Sequence, residues 1–84
     1  MSQQQHDAIK AILLERQYQD ERWADSRSHG HHETGAYLTF IQYYVTRAID
    51  EITADDDAAV GHSIRKIAAL AVACMEDNGI SERI

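Results

Sequence analysis

The chain is 84 residues long, carries 8 lysines and arginines against 14 aspartates and glutamates, and has a net charge of −6. An apolar share of 44% supports a packed core and excludes a disordered chain, and the length suits one domain, 1–84. The acidic balance excludes a broad nucleic-acid duplex footprint, yet leaves room for a local basic pocket for one nucleotide.

The single cysteine, Cys74, excludes an internal disulfide framework and points to a reducing, cytoplasmic setting. No uninterrupted apolar run approaches the roughly 18–20 residues of a membrane span, so no membrane partner is expected. The polar opening from Met1 to Lys10 predicts no signal peptide. Proline is absent, so nothing interrupts long helices. Three segments with helical periodicity predict an all-α fold, a three-helix antiparallel bundle with short connections.

The first helix is expected over about 4–24. Ile9, Ile12, Leu13, Arg16, Asp20 and Trp23 share one stripe. Arg16 and Asp20 form an i, i+4 pair within that apolar face. Such a pair is either a structural salt bridge or part of a polar site where helices meet.

Residues 25–33 read as a loop with three histidines, His29, His31 and His32. Imidazoles can bind zinc or nickel, but no second ligand cluster accompanies them, and no metal site is assigned. Solvated loop histidines, or one of them, His32, bonding near a ligand, are the alternatives.

The second helix is expected over 34–52, with Thr34 as its N-cap. Tyr37, Leu38, Ile41, Val45, Ala48 and Ile52 form its stripe, widened by Phe40, Tyr44 and Ile49. Tyr43 points the other way, as a second packing surface or a stacking platform. The aspartates of the connection 53–58 can cap the next helix but lack the spacing of a calcium loop.

The third helix is expected over 57–78. Val60, Ile64, Ile67, Ala68, Ala71 and Met75 form its main stripe, and from Ile67 to Met75 it is apolar on nearly every side. Two neighbours of this size cannot cover such a helix. It therefore predicts a homo-oligomer, a dimer or tetramer, assembled through helix three. Gly79 suits the left-handed position after a helix, and 81–84 form a loose tail.

No nucleophile–base pair and no glycine-rich phosphate loop is present, so no catalytic residue is assigned. Asp50, Glu51, Glu76 and Asp77 read as solvated surface acids. Arg47, Arg65 and Lys66 are better placed, either as helix-surface charges balancing nearby acids or as an anion site in an otherwise acidic chain.

Glu15-Arg16-Gln17-Tyr18-Gln19-Asp20-Glu21-Arg22-Trp23, the histidine-bearing loop, the tyrosine-rich second helix and the closing run from Ile64 to Gly79 together resemble short MazG-like proteins. These are often phage-encoded and belong to the all-α nucleoside triphosphate pyrophosphohydrolases. The resemblance covers roughly Ala8 to Gly79. It implies a helical dimer or tetramer and, in active members, magnesium held by carboxylates on the second and third helices. The matching stretches here, Ile41 to Arg47 and His62 to Lys66, carry no acids.

Exchanging acids for Arg47, Arg65 and Lys66 suits direct phosphate binding, with Trp23 or Tyr44 stacking on a base. The expected protein is a non-catalytic nucleotide-binding helical oligomer, able to sequester a nucleotide signal as a phage anti-defence protein in the host-cell cytoplasm. Its nucleotide site comprises Arg16, Asp20, Trp23, His32, Tyr44, Arg47, Arg65 and Lys66, with no cofactor. One alternative is a magnesium-dependent pyrophosphohydrolase using acids such as Asp20, Glu21, Asp50 or Glu51. Another is a helical protein–protein interaction module.

Overall fold

The computed structural model describes residues 1–24 and 32–83. They form three helices, α1 (Gln3–Ala24), α2 (Thr34–Thr53) and α3 (Asp57–Asn78), with no strand among the described residues. The all-α architecture is as expected. His29 and His31 lie outside the described residues.

Local chemistry sets the helix ends. The Ser2 hydroxyl accepts from the Gln5 amide N–H at 3.1 Å, and the Gln5 side chain accepts from the Ser2 N–H at 2.7 Å. This reciprocal capping box begins α1. The structure corrects the N-cap expected for α2: Glu33, not Thr34, holds that position, and its side chain makes no capping bond. Asp55, at φ 57, takes the left-handed position that ends α2, and Asp56 then caps α3 through Ala59. Asp tolerates that conformation better than most side chains. Gly79 ends α3 at φ 63, where Ile80 N–H reaches Met75 C=O at 3.0 Å.

α3 is the central element, with α1 and α2 packed on it and no close backbone approach between those two. α2 and α3 run antiparallel: Glu51 accepts from the Ser63 hydroxyl near the turn, and Asp77 accepts from Tyr37 at the far end. The core comprises Tyr37, Leu70, Ala73 and Cys74, with Trp23, Ile41 and Tyr44 against them.

The three helices form an open layer around α3, and the buried faces depart from the expected stripes. On α1, Leu13 is 57% exposed, whereas the amide side chain of Gln19 is buried. On α2, the row Tyr37, Ile41, Tyr44 and Ala48 faces α3, and the neighbouring row Leu38, Val45, Ile49 and Ile52 faces outward. On α3, the buried row contains Ser63, Leu70, Ala73 and Cys74, while Ile64 and Met75 of the expected stripe are exposed. Periodicity locates apolar rows, but a helix with two of them does not say which one its own chain covers.

The accessible surface is 6460 Å². Size scaling gives about 5,000 Å² for a compact monomer of 9.5 kDa. The radius of gyration is 13.8 Å, against about 12 Å for a compact chain of this length.

By length and composition α3 also qualifies as a membrane span, with a mean hydropathy of 1.3 over 18 residues. The expectation concerned an uninterrupted apolar run, and Arg65 and Lys66 interrupt this one. An average over the helix tolerates Arg65 and Lys66, whereas an uninterrupted apolar run does not. The same apolarity serves a helix with neighbours on two sides.

Candidate functional site

α1 and α2 diverge above α3, and a cleft of about 360 Å³ opens between them. That volume lies in the usual range for small-molecule sites, about 300–1,000 Å³. α1 contributes Glu15, Tyr18, Gln19, Arg22 and Trp23, and α2 contributes Phe40, Tyr43 and Tyr44. α3 supplies the floor through Lys66 and Leu70, and His32, just before α2, closes one end.

His32 is fixed by hydrogen bonds to α3. Its backbone N–H donates to Asp77 at 3.3 Å, and Asn78 Nδ2 donates to its carbonyl at 3.2 Å. The ring then meets three others edge-on, with centroids 6.3 Å away for Trp23, 5.7 Å for Tyr37 and 6.0 Å for Phe40. Tyr37 donates its hydroxyl to the same Asp77 carboxylate. Burial, and then the Asp77 carboxylate, push the Tyr37 phenol far above its usual range. It stays protonated and serves as a pin between α2 and α3 rather than as an acid or base.

Two cations face the cleft. Lys66 Nζ lies 5.1 Å from the centre of the Tyr44 ring, a cation–π distance. Arg22 sits in the last turn of α1. Neither forms a salt bridge among the described residues. Within its α1 wall, Glu15 Oε2 and Gln19 Oε1 are buried and have no hydrogen-bond partner among the described residues. The cleft therefore joins aromatic faces with positive charge that has no salt-bridge partner among the described residues, which suits a flat, anionic molecule.

Of the expected site residues, Trp23, His32, Tyr44 and Lys66 meet in this cleft. Arg16 lies behind it, 5.8 Å from the Trp23 ring, bonded to Asp20 and, at 2.8 Å, to Glu76 of α3. Burial opposes its charge, but the bonds to Glu76 and Asp20 outweigh that effect and raise its pKa. Arg16 and Asp20 thus act as a helix-to-helix clamp. Arg47 lies on the outer side of α2 beside Glu51, in a shallow depression lined also by Tyr43 and Asp50. Arg65 is exposed on α3 next to His62. Neither of these two arginines reaches the cleft.

Of the acids expected to be solvated, Glu51 and Asp77 are partly buried and bonded, while Glu76 is bonded with a side chain that is 55% exposed. Glu76 holds Arg16, Asp77 holds Tyr37 and His32, and Glu51 accepts from Ser63 at 2.7 Å. Sequence reasoning missed Glu15, Tyr18, Gln19, Arg22 and Phe40 as site residues. A signal was present: Glu15, Gln19 and Trp23 recur at helical spacing with the aromatic Tyr18 between them. Tyr43, expected to be a second packing surface or a stacking platform, is exposed and lines the cleft.

Among the described residues, no three His, Cys, Asp or Glu side chains gather where they could hold a metal ion. The carboxylate cluster that the MazG-like resemblance implies in active members is therefore not assembled there. Comparison with known proteins gives no match to any family model, curated protein or solved structure.

Proposed function

We propose that this chain is a nucleotide-binding helical protein that holds its ligand without hydrolysing it. The observation that carries the reading is the cleft itself, with Tyr18, Trp23, Phe40, Tyr43 and Tyr44 around it and Arg22 and Lys66 facing it. A base fits between the rings, where stacking on aromatic side chains contributes about 1–3 kcal/mol per base. Phosphate oxygens meet Lys66 as a point charge and Arg22 as a bidentate donor. The MazG-like resemblance points to the same ligand class, and a phage protein that sequesters a nucleotide signal in the host-cell cytoplasm is its most specific form.

The reading includes self-association. Leu38, Ile49 and Ile52 on α2 and Ile64 and Met75 on α3 supply the exposed apolar area.

The test is calorimetry with linear and cyclic nucleotides in the presence of magnesium, followed by chromatography of the recovered ligand. Stoichiometric binding with the ligand intact is expected. Lys66→Ala is expected to weaken binding about 10- to 100-fold, the value of a hydrogen bond to a charged group. Arg65→Ala, outside the cleft, leaves the affinity within about twofold. Cleaved ligand overturns the non-catalytic reading and favours a pyrophosphohydrolase. Absence of binding overturns the nucleotide reading and favours a protein partner.

A further inference from the structure

The cleft lies on one side of the three-helix layer, and the exposed aliphatic rows lie on the other. On α2, Phe40 and Tyr43 line the cleft. Leu38, Val45, Ile49 and Ile52 are 40–60% exposed. At 3.6 residues per turn they stand about 180° round the helix from that pair, and the row that meets α3 lies between. On α3, Lys66 and Leu70 form the cleft floor, and the exposed Ile64 and Met75 stand about 150° away. On α1, the exposed Ile9 and Leu13 stand about 170° from Glu15, Tyr18 and Arg22 of the cleft wall. Because α1 and α2 flank α3, the three rows share one back face. Although α3 is the central helix, only 28% of its most apolar 18 residues is buried within the chain.

We infer that two copies of this chain pack back to back through this aliphatic face, so that each cleft stays whole within one chain and opens on the outer side of the dimer. This rests on the self-association included in the reading above. The aliphatic residues of the three rows expose on the order of 700 Å² together, near the ~800 Å² that each partner gives to a standard interface. The α2 row contains no charged residue, and neither does the α3 row of Val60, Ile64, Ala71 and Met75. Copies of a chain with a net charge of −6 repel one another. On this face they meet without setting like charges together. The same net charge repels an anionic bilayer surface, which disfavours lipid as the occupant. Aliphatic rows pair with their own copy about a twofold axis, and homodimer interfaces are the more apolar kind.

The experiment measures mass by light scattering at micromolar concentration, and ATP binding by calorimetry, for the full chain and two variants. Ile64→Lys places a charge on the back face, at a position 54% exposed in the single chain. Tyr43→Glu places one at the cleft, at a position 60% exposed. The unaltered protein is expected to be a dimer that binds one ATP per chain. Ile64→Lys is expected to be a monomer whose ATP affinity stays within about twofold, because a lysine there would bury an unpaired charge in the interface but lies far from the cleft. Tyr43→Glu is expected to remain a dimer and to bind ATP about tenfold more weakly, through loss of a stacking ring. If Ile64→Lys is unfolded by circular dichroism, Leu38→Lys on α2 replaces it. A dimeric Ile64→Lys or a monomeric Tyr43→Glu overturns the back face as the interface. A monomeric Ile64→Lys that has lost ATP binding overturns the separation of interface and cleft and leaves the nucleotide reading standing. A monomeric unaltered protein overturns the inference together with self-association. If ATP does not bind, the masses of the two variants still decide the interface, and the nucleotide panel above decides the ligand.

Discussion

Replacing Tyr37 by phenylalanine removes one hydroxyl from a side chain that is 1% exposed and changes nothing else in its shape. That hydroxyl donates to Asp77, which also accepts from the His32 backbone N–H at 3.3 Å. The start of α2 is thereby tied to the end of α3, and His32 and Phe40 are set at the cleft. A hydrogen bond to a charged acceptor contributes about 1.5–3 kcal/mol. Asp77 keeps its bond to His32 and can recover some water, so the expected loss is about 2 kcal/mol. A chain of 84 residues has a total stability of roughly 4–13 kcal/mol. The loss is therefore a large fraction of the whole and lowers the melting temperature by about 10 °C. Urea denaturation followed by circular dichroism measures it, with both proteins at one fixed concentration because self-association shifts apparent stability. A Tyr37→Phe protein with the same urea midpoint as the unaltered chain refutes the clamp and, with it, the reason given for the placement of His32.

The same phenol predicts a pH dependence. Its folded pKa is raised from the ordinary 10.0 by burial and by Asp77. Below pH 10 both folded and unfolded chains hold the proton, and the contribution is fully present. Above it the unfolded chain ionises first, so stability falls with rising pH by up to about 1.4 kcal/mol per unit. Denaturation curves on either side of pH 10 are expected to show this loss, and Tyr37→Phe is expected to lack it. Gly79→Ala places a side chain at φ 63 with nothing within 4 Å of its Cβ. The effect is then backbone strain alone, a loss of about 1 kcal/mol in thermal unfolding. Ile49→Lys and Ile52→Lys alter residues that are 59% and 60% exposed within one chain. Sedimentation at micromolar concentration is expected to show an oligomer for the unaltered protein and a shift toward monomer for both variants; a monomeric unaltered protein refutes the self-association reading.

Much of the fold was legible because its signals are local. The absence of proline, the aspartates before the third helix and the glycine after it place helix ends, since capping depends on residues three or four apart. Trp23, Tyr44 and Lys66 were singled out from their chemistry, and all three line the cleft. His32 was legible as one histidine of three, but its fixation by Asp77 and Asn78 is a contact across more than forty residues. Arg47 and Arg65 show the limit of reading charges as a cluster. Both lie near Lys66 in sequence or in the neighbouring helix, yet rotation about the helix axis turns them away from the cleft.

Sequence alone therefore determined three helices, their approximate bounds and the apolar rows they carry. These follow from hydrogen-bond spacing and side-chain period, which act within a few residues. Tertiary structure decided which of two apolar rows on α2 meets α3. It also decided that Arg16 clamps α1 to Glu76, and that Glu15 and Gln19 line the cleft. Each of those outcomes depends on how helices distant in sequence rotate and separate. That geometry is settled by packing across the whole chain, for which no local spacing rule exists.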